Sequence, residues 1–366
     1  MAQAAAEPRL RSLVAVLDQD HVMDLARAIV DENDELVRSF FAPEAVDLHG
    51  VRALAHGLRT CDGVDVRLAR ELKPAEIARA SVIVFRRGEV GAGRIAACPR
   101  LRLVQRLGAG TDTIDLDAAR ARNVAVSCLP RRSLALAAEH ALMLMLALSK
   151  RLLAADLAVR YDRRCLAGSV GDVAYNWPGL TGIDGLQGRT LGIVGMGEVG
   201  RLVAQRAAAF GMRIVYADRA PLPDALARGL SARQASLGAL LQASDIVSLH
   251  VPNTPDNRCL VGRDELGLMH GGAFLVNTSR GGIVDEDALY EALAAQRIAG
   301  AALDVHAAEP RGADDRFCGL PNVVMTPHVA GGSRLGVLPE IAAIFDNLRA
   351  ALQGLPPPHA VVGTAP

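Results

Sequence analysis

Short apolar runs alternate with longer amphipathic stretches along most of the chain, and this alternation restricts the possible folds more than any other feature of the sequence. A run of about five apolar residues is typical of a strand that is buried on both faces, and the stretches between the runs are long enough for helices. Strands that alternate with helices indicate βα units around a parallel sheet. The runs predicted to be strands in the first part of the chain are residues 13–17, 64–68, 81–85, 101–106 and 124–128.

The alternation is interrupted in the middle of the chain and then resumes. Residues 139–157 are apolar nearly all round at first, which predicts one long, buried helix, and residues 161–188 form an irregular stretch with the sole tryptophan, Trp177. A charged helical stretch is predicted at residues 22–38, with no role that the sequence reveals. The second series of strands is predicted at residues 190–194, 213–217, 246–250, 273–277, 300–305 and 322–326. Two successive series indicate two α/β lobes, each with its own parallel sheet.

The overall charge and composition argue against several classes of function. Forty basic residues balance forty acidic ones, so no net field attracts nucleic acid or an anionic membrane. The longest apolar run near the middle, residues 141–148, is too short to span a bilayer, and the first residues lack the pattern of a signal peptide. The six cysteines are scattered without a C-x-x-C pair, which favours buried, reduced thiols over a metal site or a disulfide framework. We therefore expect a globular, cytoplasmic protein without a metal ion.

A glycine-rich turn follows the first strand of the second series, where Gly195, Gly197 and Gly200 form G-x-G-x-x-G. The first glycine permits a tight turn, the second lets the backbone approach a pyrophosphate, and the third lets helix and strand pack closely. Asp218 ends the next predicted strand, where it would bind a ribose 2′-hydroxyl and repel a 2′-phosphate, although its neighbour Arg219 could accept a phosphate. The alternative is a helix-cap glycine cluster with a surface aspartate. We expect NAD (NADH) as the cofactor, with NADP less favoured. The predicted cofactor-binding residues are Gly195, Met196, Gly197, Glu198, Val199, Gly200, Asp218 and Arg219.

Three segments downstream each place polar residues at or soon after the end of a short strand. They supply Arg280 beside two glycines, the acids Asp304 and Glu309, and His328 in a turn-rich segment. Ligands of open α/β sheets bind outside the carboxyl ends of the strands, where these side chains would converge. A guanidinium can hold a carboxylate through paired hydrogen bonds, a histidine titrates near neutrality, and a carboxylate beside the histidine fixes its tautomer. Interconversion of a 2-keto acid and a 2-hydroxy acid requires these groups.

The ordered set of motifs resembles the D-isomer-specific 2-hydroxyacid dehydrogenase family, which includes phosphoglycerate, glyoxylate/hydroxypyruvate and D-lactate dehydrogenases. The resemblance covers the chain from about Ser81 to Gly354. The motifs that carry it are Gly-Met-Gly-Glu-Val-Gly at 195–200, Asn-Thr-Ser-Arg-Gly at 277–281, Leu-Asp-Val at 303–305, Glu-Pro at 309–310 and Thr-Pro-His at 326–328. Each motif alone is unspecific, whereas the complete set in this order is specific to the family.

The resemblance implies a role for each matching position. Arg280, Glu309 and His328 would be the catalytic residues. Arg280 would bind the substrate, His328 would be the general acid/base, and Glu309 would be its paired carboxylate. Asp304 would contact the nicotinamide carboxamide and so belongs with the cofactor-binding residues.

The resemblance also implies how the chain is organised. It predicts two Rossmann-like lobes with parallel sheets: a discontinuous substrate or catalytic lobe of residues 1–138 with 330–366, and an NAD-binding lobe of residues 139–329. In the loop at 107–112, the backbone N–H groups of Ala109 and Gly110 would hold the substrate carboxylate. A hinge would close the lobes over a small anionic 2-keto or 2-hydroxy acid. Family members usually pair through their cofactor lobes, so a homodimer is expected, with no nucleic-acid or membrane partner.

The chain departs from the family pattern near the expected pocket entrance, which leaves the identity of the acid open. Ser133 stands where family members often carry Asn, Leu136 stands for Ser, and Arg-Arg-Gly at 86–88 falls where phosphoglycerate dehydrogenases often show Arg-Ser. Four arginines lie at or near these positions: Arg86, Arg87, Arg131 and Arg132. They could grip an anionic substrate, but solvated surface side chains are the favoured interpretation.

Two other functions fit the same motifs. The first is a nicotinamide-sensing binding protein, like the family's transcriptional corepressors, which can retain the three catalytic residues. The second is a formate- or phosphite-type dehydrogenase. Formate enzymes generally pair their histidine with Gln, so Glu309 argues against formate, whereas phosphite oxidation stays open.

Overall fold

The structure is a computed structural model that describes residues 12–18, 20–42, 46–60, 64–161, 176 and 178–362. Trp177 and most of the irregular stretch that contains it lie outside these residues. The chain divides into two compact units. Unit 1 comprises Met1–Arg132 and Ser333–Pro366, and unit 2 comprises Ser133–Gly332. These bounds lie close to those of the predicted lobes, whose assignment to substrate and cofactor stays a prediction.

Unit 1 contains one mostly parallel sheet. Its strands are β1 (Ser12–Val16), β2 (Val64–Leu68), β3 (Val82–Phe85), β4 (Leu103–Arg106), β5 (Ala125–Cys128) and β13 (Ala360–Val362). They lie in the order β13-β5-β4-β3-β1-β2, and β13 is antiparallel to β5. Strands β3 and β5 are buried along their whole length, as expected for a parallel sheet covered on both faces.

The helices of unit 1 include one correction to the sequence analysis. They are α1 (His21–Val30), α2 (Asp34–Phe41), α3 (His49–Thr60), α4 (Pro74–Ile77), α5 (Ala92–Ala97), α6 (Leu116–Ala121) and α14 (Val337–Leu352). The stretch at 22–38, predicted as one helix, is two helices. Glu32 has a φ of 57°, which ends α1, and the Asn33 side chain accepts a hydrogen bond from Leu36 N, which caps α2.

Unit 2 contains a seven-stranded sheet in which all pairs are parallel. Its strands are β6 (Thr190–Val194), β7 (Arg213–Ala217), β8 (Ala232–Gln234), β9 (Ile246–Leu249), β10 (Phe274–Asn277), β11 (Gly300–Leu303) and β12 (Val323–Met325). The order is β12-β11-β10-β9-β6-β7-β8, so the direction of winding reverses between β6 and β9. Ligands of such sheets bind at this switch point. The predicted fold class, two Rossmann-like α/β lobes, is confirmed.

The helices of unit 2 correct a second prediction. They are α7 (Arg132–Ser149), α8 (Leu152–Tyr161), α9 (Glu198–Ala209), α10 (Asp224–Gly229), α11 (Leu237–Ala243), α12 (Arg263–Leu268) and α13 (Glu286–Ala294). The single helix predicted at 139–157 is α7 followed by α8. Arg151 has a φ of 51°, outside the helical region, and breaks the helix there.

Helix α7 is the one helix among the described residues that is long and apolar enough to cross a membrane, with a mean hydropathy of 1.3. The sequence analysis judged only the run at 141–148, which is too short to span a bilayer, and did not count the apolar residues of α7 that precede this run. Ala138, Leu142 and Met145 are buried in the core of unit 2, where they belong to the same cluster as Leu191 and Ile193 of β6. This packing gives α7 a core position within its own unit.

Candidate active site

The glycine-rich turn lies at the carboxyl end of β6, beside the switch point of the sheet. Gly195 has a φ of 95°, and a Cβ there would lie 2.7 Å from the carbonyl oxygen of His250 at the end of β9. At Gly200, a Cβ would lie 2.2 Å from the carbonyl oxygen of Gly195. Larger residues at either position would therefore collide with backbone, which explains glycine at both.

The start of α9 fits a dinucleotide phosphate. Gly197 precedes the first turn, and nothing lies within 4 Å of the place that a Cβ would occupy there, so the backbone is open to a ligand. Free N–H groups and the positive end of the helix dipole favour an anion. Asp218 directly follows β7, is exposed, and accepts a hydrogen bond from Met196 N at 2.7 Å. Arg219 is exposed beside it. The residues predicted from the motif are therefore brought together around one turn.

His328 and Glu309 form the closest acid–base contact of unit 2's predicted site. His328 Nδ1 lies 2.7 Å from Glu309 Oε2, and the other carboxylate oxygen accepts a hydrogen bond from His306 N at 2.9 Å. Burial alone would raise the pKa of Glu309, but the hydrogen bonds from His328 and His306 keep it below its ordinary value. Glu309 therefore remains charged beside the imidazole at neutral pH.

The turn that carries His328 is held from below by Asp304, which follows β11. Asp304 is fully buried, and its carboxylate accepts hydrogen bonds from Thr326 Oγ1 at 2.5 Å, Val329 N at 2.9 Å and Ala330 N at 2.8 Å. His328 itself has a φ of 55°, a conformation that a non-glycine residue adopts only when its surroundings enforce it. The nicotinamide contact of Asp304 stays a prediction. The structure shows a supporting position under the turn of His328, which the sequence did not indicate.

Arg280 lines the same cavity of about 670 Å³ as His328 and Glu309. It follows β10 and is exposed, and its Nη1 donates a hydrogen bond to Ser279 O at 2.6 Å. Asn277 fixes the turn, because its amide donates to Arg280 O and its oxygen accepts from Ser279 N. The guanidinium is consequently presented to the cavity from a rigid backbone.

The predicted substrate loop at 107–112 lies in unit 1, directly after β4. It contains the two predicted residues, Ala109 and Gly110. Arg106 Nη1 donates to Gly110 O at 2.6 Å and lies 2.7 Å from Asp112 Oδ1. Cys128 Sγ lies 3.2 Å from the same Gly110 carbonyl. The loop is therefore held by side chains from two adjacent strands.

Two of the four arginines near the expected entrance are not solvated surface residues, which corrects the favoured interpretation. Both contact the buried carboxylate of Asp20. Arg131 Nη1 lies 2.7 Å from Asp20 Oδ2, and Arg86 Nη1 lies 3.3 Å from the same oxygen. Asp20 also caps α1 by accepting from Val22 N. Asp20 thus partly neutralises both guanidiniums, and Arg131 Nε also lies 3.4 Å from Glu340 Oε2, so their capacity to bind a substrate anion is reduced. Arg87 and Arg132 are exposed.

The cysteines differ from the expectation of buried thiols. Cys98 and Cys128 are buried, whereas Cys259 and Cys318 are exposed, and all four are free thiols. Positions 61 and 165 lie outside the described residues. Within the described ranges, no group of three or more His, Cys, Asp or Glu side chains could hold a metal ion.

A glycine-rich turn at the switch point of a parallel sheet, with an acid–base pair in the same unit, is typical of a dinucleotide-dependent oxidoreductase. Comparison with known proteins gives the family. Residues 142–330 match the model of the D-isomer specific 2-hydroxyacid dehydrogenase, NAD binding domain.

Individual relatives agree with this match. The chain is 40% identical to a glyoxylate reductase of Korarchaeum cryptofilum over 72% of this chain and 77% of that protein. It is 36% identical to a D-3-phosphoglycerate dehydrogenase of Mycobacterium bovis, over 83% of this chain and 54% of that protein's length. The solved structure of the TT0316 protein of Thermus thermophilus is 32% identical, with a TM-score of 0.54 over 96% of this chain and 100% of that one. The chain therefore belongs to the D-isomer-specific 2-hydroxyacid dehydrogenase family, and it is an oxidoreductase that uses a nicotinamide cofactor.

Proposed function

We propose that the protein interconverts a small D-2-hydroxy acid and its 2-keto acid, with NADH as the preferred hydride donor. The observation that carries this proposal is the 2.7 Å contact between His328 Nδ1 and Glu309 Oε2 in a cavity that Arg280 also lines. When bound, the nicotinamide supplies or accepts the hydride at C2. All other requirements of the reaction fall to side chains of the protein.

Arg280 is the proposed substrate clamp. Its planar guanidinium can bind the substrate carboxylate and polarise the keto oxygen through paired hydrogen bonds. The backbone N–H groups of Ala109 and Gly110 are the proposed partners of the same carboxylate. Asn277 keeps the arginine's backbone in place, so little freedom is lost on binding.

His328 is the proposed general acid/base. Glu309 binds Nδ1, so Nε2 is the nitrogen that faces the proton transfer: it donates to the keto oxygen during reduction and accepts the hydroxyl proton during oxidation. The charged carboxylate stabilises the protonated imidazole and therefore supports the reductive direction.

Gly195 to Gly200 and Asp218 are the proposed cofactor site. The N–H groups at the start of α9 would bind the pyrophosphate, and the carboxylate of Asp218 would bind the ribose 2′-hydroxyl. A 2′-phosphate would meet the same negative charge, so NADH is favoured over NADPH.

Turnover with a substrate panel tests the proposal. Purified protein is mixed with NADH or NADPH and with 2-keto acids that include small, branched, aromatic, phosphorylated and phosphonate members. We expect oxidation of NADH with at least one small 2-keto acid, and His328→Ala should lower kcat by about 10²–10⁴. Cofactor binding without turnover of any member would instead support the nicotinamide-sensing alternative. Reduction of NAD by phosphite alone would support the phosphite-type alternative.

We also infer that two copies of unit 2 pair through α8. Leu152, Leu153 and Leu157 are 53%, 51% and 55% exposed, an unusual density of large apolar side chains on one short helix. A groove of about 520 Å³, which Leu148 and Leu293 line, adjoins them and includes Leu153. A second copy would cover this continuous apolar face in a self-complementary way.

Light scattering after size-exclusion chromatography tests the dimer. Leu153→Glu should convert the dimer to a monomer, whereas Leu36→Glu, a change at an equally exposed leucine of α2 in unit 1, should not. A wild-type monomer, or dissociation by both variants alike, contradicts the proposed interface.

A cytoplasmic location is the further expectation for this enzyme, and α7 makes it worth testing. Because one face of α7 packs on β6 within unit 2, we infer that it is a core helix and not a membrane anchor. The protein should stay in the supernatant when a detergent-free lysate is centrifuged at high speed. Recovery in the membrane pellet would contradict this.

A further inference from the structure

A carboxylate that is not among the predicted site residues, although it lines the same cavity, holds the loop that carries Glu309. Glu286 is in the first turn of α13, and its Oε1 accepts a hydrogen bond from Ala307 N at 2.8 Å. Its Oε2 lies 2.5 Å from Nη2 of Arg311. Both oxygens therefore bind the loop, one on each side of Glu309 and two residues away from it.

The partners of this carboxylate are themselves fixed. Glu286 and Arg311 are nearly buried, with side-chain exposures of 16% and 10%, so their contact is screened less than a surface ion pair. Arg311 Nη1 also lies 2.7 Å from Asp315, and its guanidinium stacks over the ring of Phe317. The arginine consequently cannot swing away without losing three contacts.

The position of Glu286 also couples two parts of the site. The chain leaves β10, passes through Arg280 and enters α13, where Asp285 caps the helix by accepting from Asp287 N and Ala288 N. Glu286 is thus attached to the Arg280 segment by the chain and to the Glu309 loop by its side chain. The cavity is also lined by Asp287 and Arg316, which pair with each other, and by Arg258.

We propose that Glu286 is a positioning residue, which holds Glu309 in the orientation that reaches His328 by fixing Ala307 and Arg311 on either side of it. This inference rests on the proposed function, because its effect passes through the acid–base pair. A carboxylate that loses this support would spend less time in contact with the imidazole. The protonated form of His328 would then be less favoured.

A double-mutant cycle between positions 286 and 309 tests the proposal. In Glu286→Gln the amide oxygen can still accept a hydrogen bond from Ala307 N. The amide nitrogen, however, faces the Arg311 guanidinium, and because both groups are donors no hydrogen bond forms between them. We expect kcat for reduction to fall by about tenfold with little change in KM, as for the loss of one hydrogen bond to a charged group. The pH above which reduction declines should move down, in the direction expected for Glu309→Gln. In the Glu309→Gln background, Glu286→Gln should add little.

The matched control is Glu291→Gln, on the same helix. Glu291 is exposed and pairs with Arg263, away from the Glu309 loop, so the kinetics and the pH profile should not change. If Glu286→Gln does not fold, Arg311→Lys replaces it, because that variant keeps the bond to Ala307 N and should shift the profile by a smaller amount.

A second readout needs no turnover. Diethyl pyrocarbonate modifies neutral imidazole, so its reaction with His328, followed by mass spectrometry across pH, should begin at lower pH in Glu286→Gln than in the wild type. If the wild type turns over no 2-keto acid, the proposed function fails, yet this measurement still tests Glu286. An effect of Glu286→Gln that is fully additive with Glu309→Gln, or an equal shift in Glu291→Gln, would overturn the proposal.

Discussion

Replacement of Asp304 by Asn distinguishes two roles for this residue: support of the turn that carries His328, and the predicted contact with the nicotinamide. The carboxylate accepts three hydrogen bonds, two on Oδ1 and one on Oδ2, and it is fully buried. In Asp304→Asn, one oxygen becomes an NH₂ group, which cannot accept. If that group replaces Oδ2, the N–H of the buried Ala330 loses its partner. An unsatisfied buried donor costs about 1–3 kcal/mol, and the two remaining bonds also lose their charge assistance.

We therefore expect Asp304→Asn to lower the free energy of unfolding by about 2–3 kcal/mol, measured by urea denaturation. Hydrogen exchange of the segment around 326–332 should become faster, and kcat should fall because the turn of His328 loosens. The matched control is Asp245→Asn, a partly exposed aspartate whose Oδ2 accepts from Thr190 N alone and whose amide can flip to keep that bond. Its stability should change by less than about 1 kcal/mol.

The opposite pattern refutes the reasoning. If Asp304 acts only on the nicotinamide, Asp304→Asn should weaken NADH binding while the free energy of unfolding stays within about 0.5 kcal/mol of the wild type. The same sample supplies both quantities, NADH binding by fluorescence titration and stability by urea.

Three further predictions concern the cofactor, the substrate and acid stability. Asp218→Ala should decrease the ratio of kcat/KM with NADH to kcat/KM with NADPH. A wild-type protein that prefers NADPH would contradict the proposed role of Asp218 in binding the ribose 2′-hydroxyl. Arg280→Lys should lower kcat/KM at least tenfold, because lysine cannot form the paired hydrogen bonds of the guanidinium with the substrate carboxylate, while NADH binding should be nearly unchanged. Wild-type activity in this variant would contradict the proposed role of Arg280 in substrate binding. Burial lowers the pKa of His250 from 6.5 to about 4. Between these two pH values only the unfolded chain takes up the proton, so the free energy of unfolding should decrease as the pH is lowered from 6.5 to 4, by at most about 3 kcal/mol. In His250→Gln the urea midpoint should depend less on pH there, and an unchanged dependence would contradict the assignment.

The strands could be predicted from the sequence because most of them are short apolar runs that are buried on both faces. The predicted runs at 190–194 and 213–217 coincide with β6 and β7, and the alternating Val-Asp-Val-Arg-Leu at 64–68 coincides with the edge strand β2. Strand β8 was missed because Ala-Arg-Gln is short and polar, and β13 because a three-residue run after prolines carries little signal. Both are edge strands, where burial no longer imposes an apolar pattern.

The site was predictable where its chemistry follows the order of motifs, and less so where it depends on packing. His328 and Glu309 were proposed as a pair and lie 2.7 Å apart. Glu286 was missed because Asp-Glu-Asp at 285–287 has the ordinary composition of a helix N-terminus, and only the fold brings it to the Glu309 loop. The partner of Arg131 was missed for the same reason, since Asp20 is distant in sequence and becomes a neighbour only across the strand ends of unit 1.

The discontinuity of unit 1 determines the order in which the protein can fold during synthesis. Unit 2 is complete once residue 332 has been made, whereas unit 1 still lacks α14 and β13 at that point. Ile341, Ile344 and Phe345 of α14 fill the core against α1 and α3, and buried Asn347 joins Gln105 to Ser127. The core of unit 1 therefore stays incomplete, with part of the apolar surface of the first 132 residues uncovered, while unit 2 can already fold. The apolar surface that α14 covers in the finished protein therefore belongs to the segment that is synthesised first, and unit 1 is completed only when both α14 and β13 have been made.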